Sequence, residues 1–148
     1  MPLETIMKEK TSADHLLYVS LKYTKTCDVM INLVERWRSM IDLIIDALLN
    51  KIKKKRVITS IPIAPKMKIL TLRDAFKKEP LVLEALDLHE FFKKVPNLEK
   101  TREHEFRKNV CLAVVDSGKE TRIDLEKLKE YSEILEKFIK FVREFLLS

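Results

Sequence analysis

Residues 13–53 contain neither glycine nor proline. Along them Leu16, Tyr23, Cys27, Met30, Val34, Trp37, Ile41, Ile44 and Leu48 recur at alternating three- and four-residue steps, with Ser20 filling one gap. That rhythm is the seam of an amphipathic helix sustained for about ten turns, and a strand would send those side chains to both of its faces. Ser12 and Asp14 supply an N-terminal cap, and Lys51, Lys53, Lys54, Lys55 and Arg56 set cations at the negative end of the helix dipole. Residues 24–26 are where a break would fall. Unbroken, the helix would be roughly 60 Å long, more than the width of a domain of this size, so part of its apolar surface needs outside cover. Leu33, Met40 and Ala47 widen the stripe. This predicts contacts on two sides, with the chain's own helices and with a second copy in a homodimer.

A second seam covers 124–147, where Leu128, Tyr131, Leu135, Phe138, Val142 and Phe145 keep the same rhythm and Ile134 and Phe141 broaden it. It is predicted to pack antiparallel on the first. Between the two, Pro62 and Pro65 amid β-branched residues make 57–70 an extended connector. Thr71 is then placed to cap a short helix over 72–78. Pro80 opens another over 81–95, with Leu83, Leu86, Phe91 and Phe92 on its core face, and Pro96 ends it. Residues 99–108 read as helix. Residues 110–123 read either as a small β-hairpin turning at Ser117 and Gly118 or as a helix with Gly118 at its C-cap. The expected fold is an all-α helical bundle in one domain, 1–148, built on a long N-terminal helix and an antiparallel C-terminal one, with 1–11 a flexible N-terminus.

Hydrophobic residues make up 46% of the chain and charged ones 35%, enough apolar mass for a core, which sets the chain apart from a disordered segment. The absence of glutamine beside abundant Lys and Glu matches usage in proteins of heat-adapted organisms. The net charge of +6 is mild, and its cations are spread along the chain, so nucleic-acid binding is permitted rather than demanded. The first residues lack a secretory apolar run, and Asp42 and Asp46 interrupt the most apolar segment. A cytoplasmic location without membrane contact is therefore expected. Cys27 and Cys111 read as buried free thiols, with a disulfide between them as the alternative.

The single glycine rules out a glycine-rich phosphate loop, and no local signature of a nucleophile, cofactor site or metal site is present. His15, His89 and His104 read as surface histidines. Asp87, His89 and Glu90, like Glu103, His104 and Glu105, lack ligand spacing. Two basic clusters stand out. Lys51, Lys53, Lys54, Lys55 and Arg56, joined by Lys66 and Lys68, could contact phosphates or simply end a helix. Lys100, Arg102, Arg107 and Lys108 mix with acids around His104, as in a salt-bridge network. Tyr18, Tyr23, Trp37 and Phe138 sit at seam spacing and read as core.

The segments from Tyr18 to Thr26 and from Glu105 to Val110 resemble those of small uncharacterised archaeal helical proteins. The order of a long helix, shorter ones and a final amphipathic helix is similar to that of HEPN domains, helical bundles that often dimerise, several of them RNases or toxin and antitoxin partners. Their motif, an Arg followed four to six residues later by a His, is absent here: five to seven positions before His15, His89 and His104 stand Lys, Glu, Leu, Val or Asn, never Arg. The leading expectation is a non-enzymatic, self-associating helical module that binds RNA or a partner protein and needs no cofactor or metal. The alternatives are a HEPN-like nuclease or toxin–antitoxin component with a degenerate site, using His104 with Arg102 or Arg107, and a purely structural scaffold.

Overall fold

Residues 24–26 divide the opening seam into two helices. The computed structural model describes residues 2–148. Helix α1, Pro2–His15, continues through a π-helical turn, Leu16–Ser20, into a last turn, Leu21–Tyr23, and helix α2 spans Cys27–Lys54. Thr26 is extended, and its hydroxyl accepts the Val29 N–H, so α2 begins there with its own cap. The π turn rephases what precedes it: Leu17 and Leu21 go inward, while Tyr18 and Tyr23 are left 56% and 77% exposed. The expectation that these tyrosines are core residues is thus corrected. The expected flexible stretch 1–11 is corrected over residues 2–11, Met1 lying outside the described residues: α1 is helical from Pro2, Ser12 lies inside it, and Ile6 is fully buried.

With 28 residues, α2 is about 42 Å long and is the central element. Leu33, Met40 and Ala47, expected to need a second copy, are buried within the chain. α1 lies along this flank and is tied to it where Arg36 meets Glu9 at 3.2 Å. The excess length that called for outside cover disappears once the helix folds back at residues 24–26.

Helix α3, Pro65–Ala75, takes up the latter part of the supposed connector, so the extended link is shorter than 57–70. Pro65 opens it, because proline fits a first turn whose N–H groups lack partners. Thr71 lies inside α3 rather than capping 72–78, and its hydroxyl donates to the Met67 carbonyl. Helix α4, Pro80–Lys94, begins with Pro80 as predicted. Phe92 stacks on Trp37 with ring centroids 5.7 Å apart and meets Tyr131 edge-on at 5.3 Å, so one aromatic group joins α4, α2 and the C-terminal helix.

The chain is mainly helical but not all-α. β1, Glu99–Glu103, β2, Cys111–Asp116, and β3, Lys119–Asp124, form an antiparallel sheet in the order β1-β2-β3, with Arg102 opposite Leu112 and Leu112 opposite Ile123. Of the two readings of 110–123, the hairpin holds. Ser117 and Gly118 both have positive φ, 54° and 80°, as a tight two-residue turn between twisted strands requires. Residues 99–108 are not helical, because pairing with the apolar β2 outweighs the helix propensity of the Glu-Lys-Thr-Arg-Glu run.

Helix α5, Leu125–Leu147, is capped by Asp124, whose carboxylate accepts the Lys127 N–H at 2.7 Å. It runs parallel to α2, not antiparallel. Trp37 meets Tyr131 near the start of α5, and Lys51 donates to the Ser148 carbonyl at its end. It is antiparallel to α1, whose Lys10 bridges Glu136 at 2.6 Å. The sheet explains the direction: β2 starts at the N-terminal end of α2, where the Cys27 thiol donates to the Cys111 carbonyl, and β3 returns the chain there, with Asp124 opposite Cys111. Both cysteines are buried and free, so no disulfide links them.

Candidate functional site

Three helix faces converge on a groove of about 710 Å³. From α2 come Arg38, Asp42, Ile45 and Asp46, which share a face by helical spacing. α3 adds Lys66, Lys68, Ile69, Leu70 and Arg73, and α4 adds Leu86, His89, Glu90, Lys93 and Lys94. The floor is aliphatic and the rim charged. Six cations, Arg38, Lys66, Lys68, Arg73, Lys93 and Lys94, face three carboxylates, Asp42, Asp46 and Glu90. Four of the cations are held by acids: Arg38 by Asp42 at 2.6 Å, Lys68 by Asp46 at 2.9 Å, Arg73 by Asp87 at 2.8 Å and Lys94 by Asp116 at 3.5 Å. Lys66 and Lys93 are left without a carboxylate partner among the described residues, on a surface with apolar walls that strengthen their attraction for anions.

His89 lies in the wall of this groove and is only 6% exposed, which corrects the reading of a surface histidine. Its Nε2 is 2.6 Å from Asp42 Oδ1, and Arg38 holds the other carboxylate oxygen, also at 2.6 Å. Burial alone would raise the Asp42 pKa. The hydrogen bond from His89 and the charges of His89, Arg38 and Lys93 outweigh it, so the carboxyl sits below its usual range and stays ionised at neutral pH. An ionised acceptor fixes the imidazole with Nε2 as the donor. Among the described residues Nδ1 then has no hydrogen-bond partner, and the one fully buried side-chain polar atom without a partner there is Glu35 Oε1. Nδ1 is therefore not fully sealed from solvent.

The residues singled out from sequence, Arg102, His104 and Arg107, gather at a different place, the loop between β1 and β2. Arg102 is spoken for by Asp28 at 2.8 Å and Glu105 at 3.6 Å. His104 is half exposed and lies 4.0 Å from Glu103, and Arg107 is exposed. They do not line the groove. The loop is nonetheless tightly held: Glu105 accepts the Cys27 N–H at 2.9 Å, and the Phe106 N–H donates to the Lys25 carbonyl at 2.6 Å. His104 and Phe106 have φ of 54° and 68°, which costs non-glycine residues about 1–2 kcal/mol each. The result brings the segments 18–26 and 105–110 together and leaves the Phe106 ring 75% exposed near Lys25.

The basic run also divides. Lys51 is tied to Ser148, and Lys55 lies over the Phe145 ring, while Lys53 and Lys54 are exposed in the last turn of α2 and Arg56 is exposed just beyond it. Among the described residues no group of three His, Cys, Asp or Glu side chains is placed to hold a metal ion, and no helix is long and apolar enough to cross a membrane. Among known proteins the chain matches no family model, no curated protein and no solved structure.

Sequence reading missed His89 as a site residue, although a signal was present. His89 lies three residues from both Leu86 and Phe92, on the apolar face of α4, so the periodicity that placed those two in the core placed the histidine there as well. A buried histidine needs a hydrogen-bonding partner, and Asp42, an acid inside the most apolar stretch of α2, is the complementary oddity.

Proposed function

We propose that the protein is an RNA-binding module whose groove between α2, α3 and α4 holds the phosphate backbone of an unpaired strand. The observation that carries this reading is one aliphatic-floored groove rimmed by six cations, two of which, Lys66 and Lys93, have no carboxylate partner among the described residues.

Fluorescence anisotropy of a short mixed-sequence RNA tests the reading. The double variant Arg73→Glu with Lys93→Glu should bind at least about tenfold more weakly than the wild type, and neutralising Lys53, Lys54 and Lys55 should matter less. Equal affinity in the groove variant would sink the proposal.

Self-association is the second part of the reading, and one surface favours it. Ile63, 94% exposed, precedes Met67 and Leu70, 51% and 57% exposed, at helical spacing on α3. A row of this kind is matched by another copy of itself across a two-fold axis. Met67→Asp should shift a dimer toward monomer in light scattering, and an unchanged mass would count against this surface.

A further inference from the structure

We infer that the corner where the loop between β1 and β2 meets the continuation of α1 docks a protein segment that carries carboxylates around a large apolar side chain. The inference does not rest on the RNA-binding reading, because none of the corner's residues lines the groove. Tyr18, Val19 and Tyr23 are 56%, 41% and 77% exposed, and Phe106 stands 75% exposed on the neighbouring loop. The two segments touch: the Phe106 N–H donates to the Lys25 carbonyl at 2.6 Å, two residues from Tyr23.

Strain and charge together say what covers this patch. His104 and Phe106 hold φ of 54° and 68°, a region that glycine or asparagine occupies at less cost than a bulky ring. Burial of the Phe106 ring would repay that cost within the chain, yet the ring is left in water. The backbone beneath it is fixed nonetheless, by the Glu105 carboxylate on the Cys27 N–H at 2.9 Å and by Arg102 on Asp28 at 2.8 Å. A rigidly mounted, solvent-exposed phenylalanine has the form of an interface anchor, which loses little freedom when a partner closes over it. Lys22 and Lys25 flank Tyr23, and Arg107 and Lys108 follow Phe106, all four without a carboxylate partner among the described residues. The acids of the corner, Asp28 and Glu105, are both spent on Arg102. Apolar rings bordered by unpaired cations complement a segment with Asp or Glu on either side of a Leu, Phe or Trp.

Selection of short random peptides displayed on phage against the full chain tests the inference. The expected binders are acidic and contain a large apolar residue, and Phe106→Asn should weaken them by at least about tenfold. Arg107→Glu with Lys108→Glu should weaken them as well, whereas Arg73→Glu with Lys93→Glu in the groove should leave their affinity unchanged. Because asparagine tolerates positive φ, Phe106→Asn should melt no lower than the wild type. A clearly lower melting temperature would show that the ring serves the fold, and overturns the inference. So do a selection that yields no binder or only neutral and basic ones, and an affinity indifferent to Phe106→Asn. Displacement of the peptide from the groove variant by a mixed-sequence RNA would assign the corner to nucleic acid instead, and also overturns it. Each of these outcomes leaves the groove reading, with its own anisotropy test, untouched.

Discussion

Replacing Asp42 with Asn removes one charge and almost no volume, so it isolates what the carboxylate contributes to the contact between α2 and α4. In the wild type that carboxylate accepts from His89 and from Arg38, each at 2.6 Å. A hydrogen bond to a charged group is worth about 1.5–3 kcal/mol. The Asp42 side chain is 45% exposed, so solvent screening favours the lower end, and the Arg38 pair within α2 adds at most about 0.5 kcal/mol. A loss of about 1–2 kcal/mol at neutral pH follows, and it should lower the melting temperature by roughly 2–8 °C in a chain of this size. Urea titration followed by circular dichroism would read it as a lower midpoint at unchanged slope.

The pH dependence gives the sign. Because folding depresses the Asp42 pKa below 3.8, its stabilisation is complete above the unfolded value and is lost as pH falls through the folded one. The gap between wild type and variant should therefore be constant near neutrality and close below about pH 4. Equal midpoints at neutral pH, or a gap undiminished in strong acid, would refute the reasoning.

Two further outcomes test the packing. Phe92→Ala, which empties the ring site between Trp37 and Tyr131, should cost about 3–5 kcal/mol by denaturant titration, and a loss under about 1 kcal/mol would mean that this aromatic group does not join the three helices. The Cys27 thiol, pushed up to about 11 by burial and by the nearby Glu105, should react with a thiol reagent at mildly alkaline pH only as fast as the protein opens, and labelling within the mixing time would contradict its placement.

The parts of the fold legible in the sequence are those whose periodicity runs unbroken. Met30 to Leu48 and Leu128 to Val142 lie inward as their spacing requires, because an amphipathic helix writes its buried face directly into the chain. The π turn at Leu16–Ser20 is not legible this way, since one extra residue shifts the phase and exchanges Tyr23 for Leu21 in the core. Nor is β1, whose polar residues become a strand only through pairing with β2. The direction of α5 was hidden for a related reason: it depends on where the sheet delivers the chain, which no local pattern records. The groove is a product of tertiary packing as well, its cations coming from three helices that sequence alone does not bring together.

The salt dependence of RNA affinity bears most directly on the claim that this groove is a phosphate site. Four of the six groove cations, Arg38, Lys68, Arg73 and Lys94, are already paired with carboxylates, which leaves Lys66 and Lys93 to neutralise about two phosphates and for a single strand predicts a slope of about −1.4 in log K against log salt. Raising salt fourfold should then weaken binding about sevenfold, and the Arg73→Glu, Lys93→Glu variant should show a shallower slope. An affinity indifferent to salt, or a slope unchanged in the variant, would contradict the account.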